Sequence, residues 1–288
     1  QRPDLPGRPG LNPLHFEAVH EITEQQLSYV REIAEATGIE ADRQQRIKAG
    51  GAFPLADPAI FPLGDLRFRS ANRAQVRTTP NAKDVAAIKR WIEEARGLAD
   101  LVLVSLHAHE QLGDKEVPAE FIGTFAHEMI DAGADLVAGH GPHLLRGLEL
   151  YKGKPIFYSL GNFLGQNELV AKIPADGYDR FRAEADLKPG QVYQKRTEGD
   201  QKGFPADQRY WEAIVPTLQY DSGPNGQKTL RAIDLTPISL GWKDARHRRG
   251  RPRLAGPEEG RSILGRFAEL SRPFGTELQN DGRSVRLV

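Results

Sequence analysis

Apolar positions recur at helical spacing in some stretches of this chain and run unbroken in others, and the contrast outlines an α/β protein. In "TEQQLSYVREIAEATG", Leu27, Val30, Ile33 and Ala34 form one stripe, which predicts a helix. Thr23 suits its N-cap, Gln26 closes a capping box, and Gly38 ends it. "NAKDVAAIKRWIEEARGLA" is a second helix, with Val85, Ile88, Trp91, Ile92 and Ala95 on one side. "PAEFIGTFAHEMIDAG" is a third, with Pro118 in its first turn and Gly133 just past its end. "EEGRSILGRFAELSRPFG" is the last.

The unbroken runs are "DLVLVSLH" and "ADLVAG", the pattern of strands buried on both faces. With the helix between them they form a β-α-β unit, whose crossover is expected to be right-handed. "KPIFYSLGNF" adds a third strand after the turn "YKGK", and two strands flanking "SGPNG" read as a hairpin. "RSVRLV" is a short final strand. Residues 39–80 are rich in Gly and Pro and read as mostly loop, with a short strand near Leu66–Phe68. Residues 1–20 read as an extended lead-in with no first strand, and 241–257 as a basic loop. The pattern suggests one layered domain with a mixed sheet and no internal repeats.

Composition narrows the chemistry. Of 288 residues, 39% are hydrophobic, enough for a substantial core. Lys+Arg and Asp+Glu each number 39, so no global charge favours nucleic acid or a membrane surface. The absence of cysteine excludes disulfides, zinc–thiolate sites and thiol nucleophiles. No apolar run approaches the roughly 20 residues of a membrane span, and "QRPDLPGRPG" holds no signal-peptide core.

Histidine placement carries the functional signal. Five of eight histidines lie between positions 107 and 143. His107 directly follows one buried run and His140 the other. Side chains just past the carboxyl ends of parallel strands converge on one crevice, where open α/β sheets bind ligands. Neutral imidazole is the usual nitrogen ligand of zinc, manganese and iron. His140 and His143 lie in the turn "GHGPH", where Pro142 stiffens the chain. Gly139 and Gly141 would let the backbone approach an ion or phosphate. His107, His140 and His143 are therefore the candidate ligands, against the plainer reading of histidines that cap a neighbouring element.

"SLHAHEQ" adds His109 and Glu110. Glu110 is a candidate ligand, orienting group or general base, or else a solvated loop carboxylate. Asn162 could bond the "GHGPH" loop or a substrate oxygen, or simply shape a strand exit. Arg146 could pair with an anionic substrate group. The run Lys243, Arg246, Arg248, Arg249, Arg251, Arg253 could guide a polyanion or be a solvated loop. No aromatic residues are interleaved with it, as single-strand nucleic-acid binding would favour, so no nucleic acid is expected. His127, inside a predicted helix, and the isolated His15, His20 and His247 are treated as non-ligands. Walker A, GxSxG and HExxH patterns do not occur.

"SLHAHE", "FAHEMIDAGADLVAGHGPHLLRGLELYKGKPIFYSLGNF" and "RRGRPRLA" together resemble the bacterial CapA family of capsule- or poly-γ-glutamate-synthesis proteins, which have a calcineurin-like metallophosphoesterase fold. The resemblance runs over nearly the whole chain and is densest from Asp100 to Phe163. It implies a four-layer α/β/β/α sandwich with two metal ions (Mn, Fe or Zn) at the strand ends. On this pattern His107 and His140 serve one metal and His143 the other, while Glu110 matches an acidic residue with His109 beside it. It also implies a cell-envelope or extracytoplasmic setting in a bacterium. The family's opening Gly-Asp strand end and its later Asn-His loop have no counterpart here. The chain is therefore expected to be the carboxyl-terminal part of the domain, incomplete at its N-terminus. The remaining ligands are expected from a missing N-terminal part or another chain, because three histidines and one glutamate cannot fill two coordination shells.

The expected activity is a metal-dependent hydrolase of a phosphoester or an anionic polyamide, with Glu110 and His109 as catalytic groups and Arg146, Asn162, Arg248 and Arg249 on the substrate. The alternatives are a non-catalytic component that holds an anionic polymer through its basic segment, and a metal-assisted peptide-modifying enzyme.

Overall fold

The computed structural model describes residues 10–286 apart from 225, 227, 280, 281 and 283. Residues 1–9 of the expected lead-in, and parts of the final strand, lie outside these residues. Contacts gather into two compact units. The first comprises residues up to Arg90 with Ala119–Phe125, and the second comprises Trp91–Pro118 with the chain from Ala126 onward.

The first unit begins with β1 (Phe16–Ile22), a strand that sequence patterning assigned to the lead-in. Its residues Val19 and Glu21 face inward while neighbours face out, so the apolar signal is too sparse to read. Helix α1 (Glu24–Ala36) starts as its capping box dictates: the Gln26 N–H donates to the Thr23 hydroxyl, and the Thr23 N–H donates to the Gln26 side-chain oxygen. Leu27 and Ala34 are buried, whereas Ile33 is exposed.

Residues 39–80 are not mostly loop. They form α2 (Ile39–Lys48), β2 (Phe61–Leu63), β3 (Leu66–Ser70) and β4 (Gln75–Pro80). Helix α2 buries no residue, so it carries no apolar stripe to read. The sheet order is β2-β3-β1-β4, with β1 parallel to β3 and antiparallel to β4. Helix α3 (Ala82–Arg96) follows, with Val85, Ile88 and Ile92 buried.

The second unit holds the β-α-β pattern read from the runs. Strand β5 (Leu103–His107) pairs in parallel with β8 (Leu136–His140). Between them in sequence lie β6 (Gln111–Leu112), β7 (Asp114–Pro118) and α4 (Glu120–Asp131). Pro118 ends β7 rather than opening the helix, which begins at Glu120. Strand β9 (Leu145–Tyr151) was not foreseen; it forms a hairpin with β10 (Lys154–Leu160) across the "YKGK" turn. The order is β5-β8-β10-β9. Strand β5 is thus an edge of this sheet, and its Leu103 is exposed rather than buried on both faces.

Two short helices, α5 (Ala175–Arg180) and α6 (Pro189–Arg196), precede the long hairpin of β11 (Glu212–Ser222) and β12 (Lys228–Ser239). The basic segment contains β13 (Arg253–Leu254), which pairs with β12, and helix α7 (Pro257–Ser271) follows. Strand β14 (Ser284–Arg286) also joins β12. Leu145, Leu148 and Phe157 of the β5-β8-β10-β9 sheet, Ile214, Ile233 and Leu235 of the β11–β12 hairpin, and Ile263, Leu264 and Phe267 of α7 form one buried cluster. Burying side chains of this size contributes about 1.5–3 kcal/mol each. A smaller cluster of Leu144, Tyr210, Trp211, Ala213, Ile238 and Leu240 borders the strand ends that carry the histidines.

Candidate functional site

The in-register pairing of β5 with β8 sets His107 directly opposite His140, and each is the last residue of its strand. Their rings meet edge to face at 4.8 Å. The Ala108 N–H donates to the His140 carbonyl at 2.9 Å and ties the two strand ends together. Past this tie, His109 turns back onto His107, with the two Nε2 atoms 3.0 Å apart, so one ring donates to the other. The His109 ring lies 5.4 Å from that of His143. The result is a row of four imidazoles in the order His140, His107, His109, His143.

The turn between His140 and His143 needs its glycines. A Cβ at Gly139 would stand 2.5 Å from the Tyr158 carbonyl oxygen, and one at Gly141 would stand 2.8 Å from that of Ala108. These close approaches are to neighbouring backbone, so both positions exclude a Cβ. His143 itself has φ +68°, a left-handed conformation that non-glycine residues resist.

Asn162, at the exit of β10, holds it there. Its amide nitrogen donates to the His143 carbonyl at 3.0 Å and to the Tyr210 carbonyl at 2.9 Å. Its oxygen is therefore the acceptor for His143 Nδ1, at 2.9 Å. Nδ1 carries the proton, and Nε2 keeps the lone pair. A hydrogen bond of this kind fixes the tautomer and orientation of an imidazole. Ser105, on the same face of β5 as His107, does the corresponding service for His140, with Oγ 2.9 Å from Nε2. Sequence reasoning passed over Ser105 and Tyr210. Strand alternation could have found the first, but no local signal marks the second.

Burial holds the His109 pKa below its ordinary value, and the charges of His107 and His143 add to this. His140 is lowered by burial and then by His107. Both rings are thereby kept neutral, the state that binds metals. The Glu110 carboxylate acts on His109 in the opposite sense.

Arg146 does not reach out to a substrate. It is wholly buried, with Nε donating to the Lys115 carbonyl at 2.8 Å and one terminal nitrogen to the Glu110 carbonyl at 2.9 Å. Burial lowers its pKa to about 10. It is a brace for the loop that carries His109 and Glu110. Arg248 is exposed, whereas Arg249 is buried, with an ion pair to Asp200 at 3.0 Å and its guanidinium over the Trp211 ring. His127 is bonded to Glu149 at 2.8 Å and stacked on Tyr151.

The donor chemistry of the row fits a zinc, manganese or iron ion in kind. It falls short in number: among the described residues, no three His, Asp or Glu side chains gather around one point. Two neighbouring nitrogens instead bond each other.

The chain is 31% identical over 289 aligned residues to y4sH, an uncharacterized protein of Sinorhizobium fredii, covering 97% of this chain and 59% of that protein. It is 38% identical over 154 residues to a probable polyglutamine synthesis accessory protein of Mycobacterium tuberculosis (54% of this chain, 33% of the relative). It is 46% identical over 77 residues to the capsule biosynthesis protein CapA of Bacillus anthracis (27% and 18%). The family model described as bacterial capsule synthesis protein PGA_cap matches residues 19–167, the span that includes all four histidines of the row and Asn162. The chain belongs to the bacterial capsule synthesis protein PGA_cap family.

Proposed function

We propose that this chain is the histidine-bearing part of a metal-dependent hydrolase that acts on a phosphoester or an anionic polyamide of capsule or poly-γ-glutamate metabolism. The observation that supports this most is the pairing of His107 with His140 at two parallel strand ends, beside a His143 whose tautomer Asn162 sets. His107, His140 and His143 would hold divalent metal, with the remaining ligands supplied by residues outside this sequence, in the rest of a longer protein or in another chain. The chain spans 59% of the length of its relative y4sH, which leaves room for them. A bound ion would supply Lewis-acid polarisation and a water activated at neutral pH.

The chain's own residues have separable tasks. Neutral His109 is placed to accept a proton, and the Glu110 carboxylate stabilises the charge it then carries. Arg146 keeps both in place by gripping the carbonyls of the 109–115 loop. Asn162 keeps His143 presenting Nε2.

The alternative role, holding a polymer along an open basic surface, has less support. Arg246 and Arg249 both pair with Asp200, and Arg253 pairs with Asp244 at 2.6 Å. The test is metal analysis together with hydrolysis of an aryl phosphate and of γ-linked oligoglutamate, on wild type and on the His140→Ala/His143→Ala double variant. Stoichiometric Mn, Fe or Zn in wild type, and loss of metal and turnover in the variant, are expected. A metal-free protein whose double variant is as active as wild type would sink the reading.

A further inference from the structure

Apart from the histidine row, the second unit contains a cavity of about 400 Å³, within the size range of small-ligand sites. Its walls come from α6, the Phe204–Pro205 segment, Trp211 and the basic loop. The apolar side is held in place. Trp211 donates its indole N–H to the Phe204 carbonyl at 3.0 Å, and Trp242 donates to the Pro205 carbonyl at 2.8 Å. The Phe204 ring packs on Trp211 at 4.8 Å, and the Arg249 guanidinium lies over the Trp211 ring at 5.1 Å. Of the aromatic rings in the lining, Tyr193 is the one that meets no other ring among the described residues.

The polar side is uncommitted. Among the described residues, the Tyr193 hydroxyl and the side-chain amides of Asn167 and Gln194 have no hydrogen-bond partner. Gln191 uses only its oxygen, which accepts from the Lys188 backbone N–H at 2.9 Å. The acid of the lining, Asp200, is instead paired with Arg246 and Arg249, each at 3.0 Å. Besides the exposed Lys188 ammonium, which water solvates, the groups left to a ligand are therefore neutral: three amides and a phenol.

We propose that this cavity binds a neutral pyranose sugar, its C–H face on the Tyr193 ring and its hydroxyls on Asn167, Gln191 and Gln194. Each sugar hydroxyl donates and accepts, and each amide offers a donor and an acceptor, so the two sets match without charge. The C–H groups of a sugar ring are slightly positive and seat on the negative face of an aromatic ring. One uncovered ring is enough for that contact. A nucleobase fits less well, because it gains from stacking between side chains on both faces, and the Trp211 ring is already covered. An anion would have to compete with Asp200 for Arg246. The remaining N–H groups and lone pairs of that ion pair suit hydroxyls, as charge-assisted hydrogen bonds. The lining includes none of the row's histidines, so the proposal goes beyond the hydrolase reading and does not depend on it.

Calorimetry with D-glucose, N-acetyl-D-glucosamine and cellobiose, on the full chain with a metal chelator present, tests it. At least one of the three should bind one to one, and the open-chain polyol sorbitol should not. Tyr193→Ala and Gln194→Ala should each weaken binding about tenfold or more, which corresponds to about 1.4 kcal/mol. Tyr193→Phe, which keeps the ring, should lose less than Tyr193→Ala. Tyr193 is half-buried and Gln194 exposed, and thermal unfolding checks that each variant folds. In wild type, the Trp211 indole N–H resonance should shift as sugar is added, and neither adenosine nor γ-linked oligoglutamate should displace the sugar. Absence of binding by all three sugars, an equal response to sorbitol, undiminished binding by folded Tyr193→Ala and Gln194→Ala, displacement by adenosine or oligoglutamate, or an unmoved Trp211 signal would each overturn the proposal.

Discussion

The His143 Nδ1–H donates to the Asn162 side-chain oxygen at 2.9 Å, and Asn162 can accept only because its amide nitrogen is committed to two backbone carbonyls. One amide on β10's exit thus decides which nitrogen of a ring in another loop keeps its lone pair. The first prediction concerns this pair. In wild type, ¹⁵N NMR should show His143 as the Nδ1–H tautomer. Asn162→Ala should lose that preference, and metal affinity or activity should fall about 10–100-fold, the usual effect of removing such a partner. An unchanged His143 tautomer in Asn162→Ala would contradict the assignment.

Gly141→Ala should destabilise the site loop. The new Cβ would have to coexist with φ +123° and the Ala108 backbone. A cost of about 1–3 kcal/mol is expected for backbone strain of this kind. Thermal unfolding measures it; a variant as stable as wild type would show that the loop relaxes freely.

Phe267→Ala probes the main core. Phe267 of α7 is wholly buried in the cluster that the helix forms with β9, β10, β11 and β12. Truncation should cost about 3–5 kcal/mol in urea unfolding, with no change in the histidine tautomers.

Asp200 gives the cavity an acid-side signature. Burial alone would raise its carboxyl, but the hydrogen bonds and charges of Arg249 and Arg246 outweigh this and hold it below its ordinary 3.8. The unfolded chain therefore binds protons first as pH falls. The stabilisation is complete above about pH 3.8 and is lost as pH drops through the lowered folded value. Asp200→Asn should be less stable at neutral pH and should show a shallower loss of stability on acidification. Parallel acid-unfolding curves for the two proteins would refute this.

Much of the second unit was legible in the sequence because two of its strands, β5 and β8, are mainly apolar runs that end in histidine. The "LVSLH" and "LVAGH" runs gave both the parallel pair and the ligand candidates. Strand β9 escaped because "LRGLELY" buries an arginine and a glycine among its apolar residues, so neither alternation nor an unbroken run shows. The same burial turned Arg146 from a substrate contact into a brace. Within 39–80 the short strand expected near Leu66–Phe68 is β3, whereas α2, β2 and β4 escaped because α2 has no buried face and the two strands are short and mostly half-buried. The Asn162–Tyr210 and Arg249–Asp200 contacts join residues 48 and 49 apart, and no local pattern announces such pairs.

The left-handed backbone at His143 sets two demands of the molecule against each other. A residue with a Cβ in that conformation costs roughly 1–2 kcal/mol relative to its relaxed form, and glycine would take the position without strain. Judged by backbone energetics alone, the turn would be better served without the imidazole. His143→Gly should therefore leave the loop's shape intact while deleting the ring. It would separate what the turn contributes to the fold from what the ring contributes to chemistry.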